Sequence, residues 1–280
     1  MRPPVLGVCS WSLRPTDPRA LAERAALVGV SAIQLALDPL RTGAWKLGRT
    51  LSELDRAGLE VRSGMMACEG EDYSTLASIR ATGGLRPDAT WRENLRAARK
   101  NARLARQLEL PLVTLHAGFV PERAGDAERL RLVARLREIV DTFADEGVAV
   151  GLETGQETAA TLLAVLAEVD RPGLGVNFDP ANMVLYGMGD PVDALNRLAP
   201  HVRQVHVKDA RPSTRPGEWG EEVPVGDGSV HWHSFFDALR RHRLDVDLMI
   251  EREAGEERVA DAVAAARLVR AELDRTRAAR

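Results

Sequence analysis

The sequence predicts an α/β chain closed into a (β/α)8 TIM barrel, on three observations. Short apolar β-type runs alternate with longer amphipathic stretches about eight times in 280 residues, which implies parallel strands joined by right-handed crossovers. Barrels of this kind run to roughly 250 residues as one unit, so residues 1–280 read as one domain. The alternative, an open doubly wound sheet, usually carries a phosphate-binding glycine fingerprint after its first strand, and Gly7-Val-Cys-Ser-Trp-Ser12 does not supply one.

The first strand falls at 5–9, followed by a helix from about Pro18 to Gly29. The second strand, 31–36, is followed by a helix at 50–57 that Gly58 stops, and the third strand is 59–65. A Gly-rich connection then runs to about Asp88, longer than linkage needs, so 66–90 reads as a functional loop. A helix at 91–108 leads to the fourth strand, 111–116, and a helix at 126–146 ends at Gly147. The fifth strand, 148–153, precedes a helix at 157–169, and the sixth, 174–179, one near 191–199. The seventh strand, 202–207, opens a second long Pro- and Gly-rich loop, 208–230, before a helix at 232–242. The eighth strand is 246–251, and a final Ala-, Arg- and Glu-rich helix spans about 256–276. The two long loops are expected to flank one mouth of the barrel.

Hydrophobic residues make up 45% of the chain, enough for a large core. The net charge is −3, from 38 basic and 41 acidic residues interleaved throughout, which reads as salt-bridged helix surfaces and excludes a basic face for nucleic acid. Cys9 and Cys68 form no CxxC pair, which argues against a thiolate zinc site and for reduced thiols. The run 5–9 is too short for a signal sequence, and no stretch approaches the ~18 apolar residues of a spanning helix. The expectation is a cytoplasmic protein with no membrane partner, with a homo-oligomer left open.

The positions of acids and histidines carry the chemistry. Glu153, Asp179 and Glu251 end the fifth, sixth and eighth strands, His206 is penultimate in the seventh, and His116 ends the fourth. Strand C-termini converge on the active face of a barrel, so these residues should meet. Taken singly, each has a plainer reading. Glu153 could cap the following helix, although Thr154 or Thr158 could do so instead, and a strand histidine is often a hydrogen-bonded core residue. Together, three carboxylates need a cation or protons to offset their burial. Three carboxylates and an imidazole suit one divalent ion, with Mn2+ the first expectation and Mg2+, Co2+ or Zn2+ as alternatives.

The chain resembles the sugar phosphate isomerase/epimerase superfamily of xylose isomerase-like TIM barrels along essentially its whole length. The resemblance rests on Gly151-Leu-Glu-Thr-Gly155, Val176-Asn-Phe-Asp-Pro-Ala-Asn182, Val205-His-Val-Lys-Asp209, Val223-Pro-Val-Gly-Asp-Gly228 and Met249-Ile-Glu251. Ala32-Ile-Gln-Leu-Ala36 and Leu115-His-Ala-Gly-Phe119 add weaker support. It implies one divalent metal on Glu153, Asp179, His206 and Glu251, with Glu153 and Glu251 as the catalytic acid and base on opposite faces of a sugar or polyol substrate. One glutamate would remove the proton beside a carbonyl to give a metal-stabilised enediolate, and the other would return a proton. The implied activity is an isomerase or epimerase of a sugar, polyol or related keto-compound.

The pattern departs from the family at Asn182, where many epimerases carry a histidine. With the third-strand region 63–67 also lacking one, this counts against an AP endonuclease-like enzyme with three metals. Substrate contacts are expected from His116, Asn182, Lys208, Gln34 and Trp11, the last as an apolar wall. Against this, Lys208 could simply pair with Asp209 or a nearby loop acid, and Trp11 could pack at the rim. His231 and His233 read as surface or capping residues. The competing functions are an inosose-type dehydratase on the same scaffold and a non-catalytic sugar-binding barrel.

Overall fold

The computed structural model describes residues 4–215 and 217–278. Its strands are β1 (Leu6–Cys9), β2 (Ala32–Ala36), β3 (Glu60–Met65), β4 (Leu112–Leu115), β5 (Ala149–Glu153), β6 (Leu174–Phe178), β7 (Val202–Val207), β8 (Asp209–Arg211), β9 (Glu221–Val223) and β10 (Asp247–Ile250). Its helices are α1 (Pro18–Val28), α2 (Asp38–Arg41), α3 (Leu47–Arg56), α4 (Leu76–Thr82), α5 (Asp88–Gln107), α6 (Ala127–Ala144), α7 (Ala159–Val169), α8 (Pro180–Tyr186), α9 (Pro191–Leu198), α10 (Trp232–Arg241) and α11 (Arg258–Ala278). β1 to β7 and β10 form a closed parallel barrel, sealed by β1 pairing with β10, while β8 and β9 make a separate antiparallel hairpin. The expected (β/α)8 barrel is therefore present.

The helices pack because their apolar residues recur every three or four positions. α1 buries Leu21, Ala25 and Val28, and α6 buries Leu132, Leu136, Ile139 and Phe143. Each such large side chain contributes roughly 1.5–3 kcal/mol when taken fully out of water. Cys9 and Cys68 are free and buried. No helix among the described residues is long and apolar enough to cross a membrane.

Three short helices and the hairpin were not expected from periodicity. α4 lies inside the first long loop and is started by a capping box, Thr75 with Ser78. α8 starts directly after β6, with Asp179 as N-cap and Pro180 in its first turn. The β8–β9 hairpin folds the start of the second long loop back over the barrel mouth.

The barrel interior is unusually polar. Gln34, Ser63, Thr114, Asn177 and Gln204 are all at most 1% exposed. Ser63 on β3 donates to the Gln204 side-chain oxygen on β7 at 2.5 Å, a contact that crosses the barrel. Gln204 Nε2 donates to Asn177 Oδ1 at 3.1 Å, and Gln34 Nε2 to Thr114 Oγ1 at 2.8 Å. Pairing matters here, because a buried polar group left without a partner costs about 1–3 kcal/mol.

Candidate metal centre

Glu153 is the last residue of β5, Asp179 follows β6, His206 lies within β7 and Glu251 follows β10. All four are at most 4% exposed, and one ligand atom from each lies within 4.8 Å of the others. His206 Nδ1 is 3.2 Å from Glu251, 3.5 Å from Glu153 and 3.7 Å from Asp179. It is buried without a hydrogen-bond partner, and so is Asp179 Oδ2. Two orphaned ligand atoms facing one another across three carboxylates are what a site built for a cation requires. The donor set fits a divalent metal.

The local backbone builds this cluster in a few moves. Thr154 ties two strand ends together, since its Oγ1 accepts from Asp179 N at 2.8 Å and donates to Asp179 O at 2.9 Å. Asp179 divides its carboxylate: Oδ1 accepts from Asn182 N at 2.9 Å to cap α8, leaving Oδ2 for the centre. Gly155 allows the turn after β5 to press on Asn182, because a Cβ there would lie 2.4 Å from Asn182 Cβ. Asn182 Nδ2 in turn donates to Glu153 Oε1 at 2.8 Å. The capping of α7 falls to Thr158, which accepts from Thr161 N at 3.2 Å, so Glu153 is free of that duty.

Charge is balanced tightly. Burial opposes ionisation of Glu251, but His206 and Lys208 beside it hold its carboxyl well below the usual range. Burial likewise opposes Glu153, which His116 and His206 pull down. Asp179 goes the other way: burial pushes it up to about 6 despite Lys208 and His206. One more positive charge in the cluster would bring it back down.

The structure brings Trp11, His116, Asn182 and Lys208 to the cluster. His116 Nε2 lies 3.7 Å from Glu153. Lys208 Nζ donates to Glu253 at 2.6 Å and to Glu251 at 3.0 Å, so it pairs with loop acids and not with Asp209. Trp11, expected as an apolar wall, also donates through Nε1 to Glu251 Oε1 at 2.8 Å. Gln34 requires a correction: it is fully buried, not placed to meet a hydroxyl, and its side-chain oxygen lies 2.7 Å from His206 Nε2. A strand amide facing inward can serve either purpose, and only the geometry separates them.

Several residues escaped the sequence reading. Glu253 repeats the acid of Glu251 two positions on, the spacing that keeps an extended chain on one side. Glu222 on β9 accepts from Arg252 and from the backbone N–H of Glu253 and Ala254 at 2.8, 2.8 and 3.2 Å, fixing that loop. Asp209 accepts from Gly226 N, Val230 N and Trp232 Nε1 at 2.9, 3.1 and 2.8 Å, folding the second long loop back. Both long loops reach a cavity above the cluster, lined by Tyr73 from the first and Trp219 from the second, with His116, Asn182 and Lys208 on its wall.

Comparison with known proteins agrees with the fold. A xylose isomerase domain protein from Planctomyces limnophilus has a similar structure, with a TM-score of 0.85, 31% identity and 98% of each chain covered. An L-ribulose 3-epimerase superposes with a TM-score of 0.75 at 18% identity over 98% of this chain and 96% of that one, a likeness of fold. The 3-dehydroshikimate dehydratase of Bacillus anthracis is 36% identical over 86 residues, 29% of this chain and 30% of that protein. The curated relatives it matches are covered over only 30% to 54% of their own length. The family described as xylose isomerase-like TIM barrel matches residues 22–272. The chain belongs to the xylose isomerase-like TIM barrel family.

Proposed function

We propose that the protein is a divalent-metal-dependent isomerase or epimerase of a sugar, polyol or related keto-compound, with Glu153 and Glu251 transferring the proton. The observation that carries this is the pair of buried carboxylates on either side of His206, with His206 Nδ1 and Asp179 Oδ2 left without partners between them. A divalent cation on Glu153, Asp179, His206 and Glu251, Mn2+ foremost, would polarise a carbonyl and offset the negative charge of the reacting substrate.

The chain's own residues supply the rest. Trp11 and Asn182 each bind one oxygen of a glutamate, Glu251 and Glu153 respectively, and so orient the carboxylates. One glutamate takes the proton beside the carbonyl, and the other delivers a proton from the opposite face to invert the centre. Delivery to the neighbouring carbon isomerises instead. Lys208 holds Glu251 and Glu253 in place through its ammonium, and His116 and Asn182 would hold hydroxyl groups of the substrate. Barrel walls and the two long loops keep water away from the reacting carbon.

A dehydratase is the second reading. It shares the first proton abstraction, and His116 on the cavity wall, 3.7 Å from Glu153, is placed to protonate a departing hydroxyl. A panel of ketoses and inososes incubated with protein and Mn2+ in D2O tests both. NMR should show deuterium entering beside the carbonyl, with an epimer or isomer as product for the first reading and new enone or dicarbonyl absorbance for the second. No deuterium entry with any member would contradict both.

A further inference from the structure

The cavity above the metal centre measures about 490 Å³. Clefts of ~300–1,000 Å³ take drug-sized ligands, so a single monosaccharide at the metal centre would leave its outer part to water. That outer part is aromatic. Tyr73 stacks on Trp219 with ring centroids 6.4 Å apart and planes at 29°. Trp219 meets Tyr186, at the end of α8, at 5.4 Å. The three rings come from three separate connections and join into one wall facing the cavity. Aromatic faces attract the C–H face of a sugar ring or a second aryl ring.

The charge of the cavity is equally selective. Its wall carries the carboxylates Glu222 and Glu253. Its ammonium, Lys208, is already compensated: Glu253 and Glu251 lie at 2.6 and 3.0 Å, Asp179 and Glu222 at 3.8 and 3.9 Å. His116 faces Glu153. Among the described residues, no arginine lines the cavity. Arg252, next to Glu251, turns its guanidinium to Glu222 and Asp261. A phosphate or carboxylate in this space would meet Glu253, and the one ammonium on the wall is already paired with carboxylates. Hydroxyl groups, by contrast, would find acceptors, since the side chain of Glu253 is 52% exposed.

We propose that the substrate is an uncharged glycoside, with one sugar or polyol ring facing Glu153 and Glu251 and a second ring, sugar or aryl, against Tyr73, Tyr186 and Trp219. This rests on the reading of the metal centre as the place where a sugar or polyol reacts. Ligand-observed NMR titrations of the Mg2+-loaded protein with glucose, phenyl β-glucoside, cellobiose and glucose 6-phosphate test it without requiring turnover. The two glycosides should bind on the order of 5-fold more tightly than glucose, the contribution of one aromatic contact, and glucose 6-phosphate more weakly than glucose. Trp219→Ala should erase the glycoside advantage while leaving glucose binding unchanged, and Tyr73→Ala serves the same purpose if the first variant fails to fold. The idea is overturned by tighter binding of glucose 6-phosphate than of glucose, by glycosides no better than glucose, by equal losses for all ligands in both variants, or by no binding at all. The two readings fail separately. A glycoside preference without deuterium entry into any ketose leaves this inference standing and sinks proton transfer. Deuterium entry that favours phosphorylated over free ketoses does the reverse.

Discussion

The Nε2 atom of His206 lies 2.7 Å from the side-chain oxygen of Gln34, while Nδ1 of the same ring faces the three carboxylates. With its proton on Nε2, His206 donates to Gln34 and leaves the Nδ1 lone pair for a cation. Gln34→Leu keeps the volume but removes the acceptor. Losing such a partner typically weakens metal affinity ~10–100-fold, so calorimetric titration with Mn2+ should show a loss of that size with the circular dichroism unchanged. Unaltered affinity would mean that Gln34 serves only the packing of the barrel interior.

Asp209 tests how far the mouth depends on the returning loop. Its carboxylate accepts from Gly226 N, Val230 N and Trp232 Nε1, and Gly228 packs so close that a Cβ there would lie 2.0 Å from Asp209 Oδ1. Asp209→Ala should cost about 3 kcal/mol through unpaired buried donors and lower Tm by roughly 6–12 °C. A Tm within a degree or so of wild type would show that water replaces the carboxylate at no cost.

Glu157 sets a pH dependence. It is buried, and desolvation pushes its carboxyl from 4.5 up to about 8, with His116 acting weakly the other way. The folded protein thus keeps a proton that the unfolded chain has released, and stability present below about pH 4.5 is lost as pH rises to about 8. Glu157→Gln removes that loss. Its advantage in Tm over wild type should be small at pH 5 and grow to several degrees by pH 8.5, on the order of 2–4 kcal/mol. A difference constant across that range would contradict the raised carboxyl.

The clustering of Glu153, Asp179, His206 and Glu251 is legible in the sequence because an acid or histidine interrupts an apolar run at or near the end of each strand. Glu153, Asp179 and Glu251 follow residues with no other reason to stop, and the barrel topology places strand ends together. The helix α8 was hidden in the same letters, since Asp179-Pro180 is both a strand end and a helix start, and the chemistry of the aspartate drew attention from its cap. Gln34 was misplaced because alternation along a strand does not separate the barrel interior from its rim. Tyr73, Trp219 and Glu222 were beyond reach, for they approach the centre only through loop folding that Asp209 and the Thr75 cap direct.

The acid–base role of the two glutamates is tested most directly by deuterium entry from solvent in Asp179→Asn, Glu153→Gln and Glu251→Gln, followed as Mn2+ is raised. Asp179 caps α8 and is proposed as a ligand, so its variant should bind Mn2+ more weakly and regain exchange when the ion is in excess. The glutamate variants keep one oxygen ligand but lose the proton acceptor, so at saturating Mn2+ net epimerisation should remain roughly 100-fold or more below wild type in both. They should also differ from each other. With a single epimer as substrate, loss of the base on its own face abolishes exchange, while loss of the opposite glutamate leaves exchange without net inversion. Equal recovery of all three variants in excess Mn2+ would contradict the account, because Glu153 and Glu251 would then do no more than hold the ion.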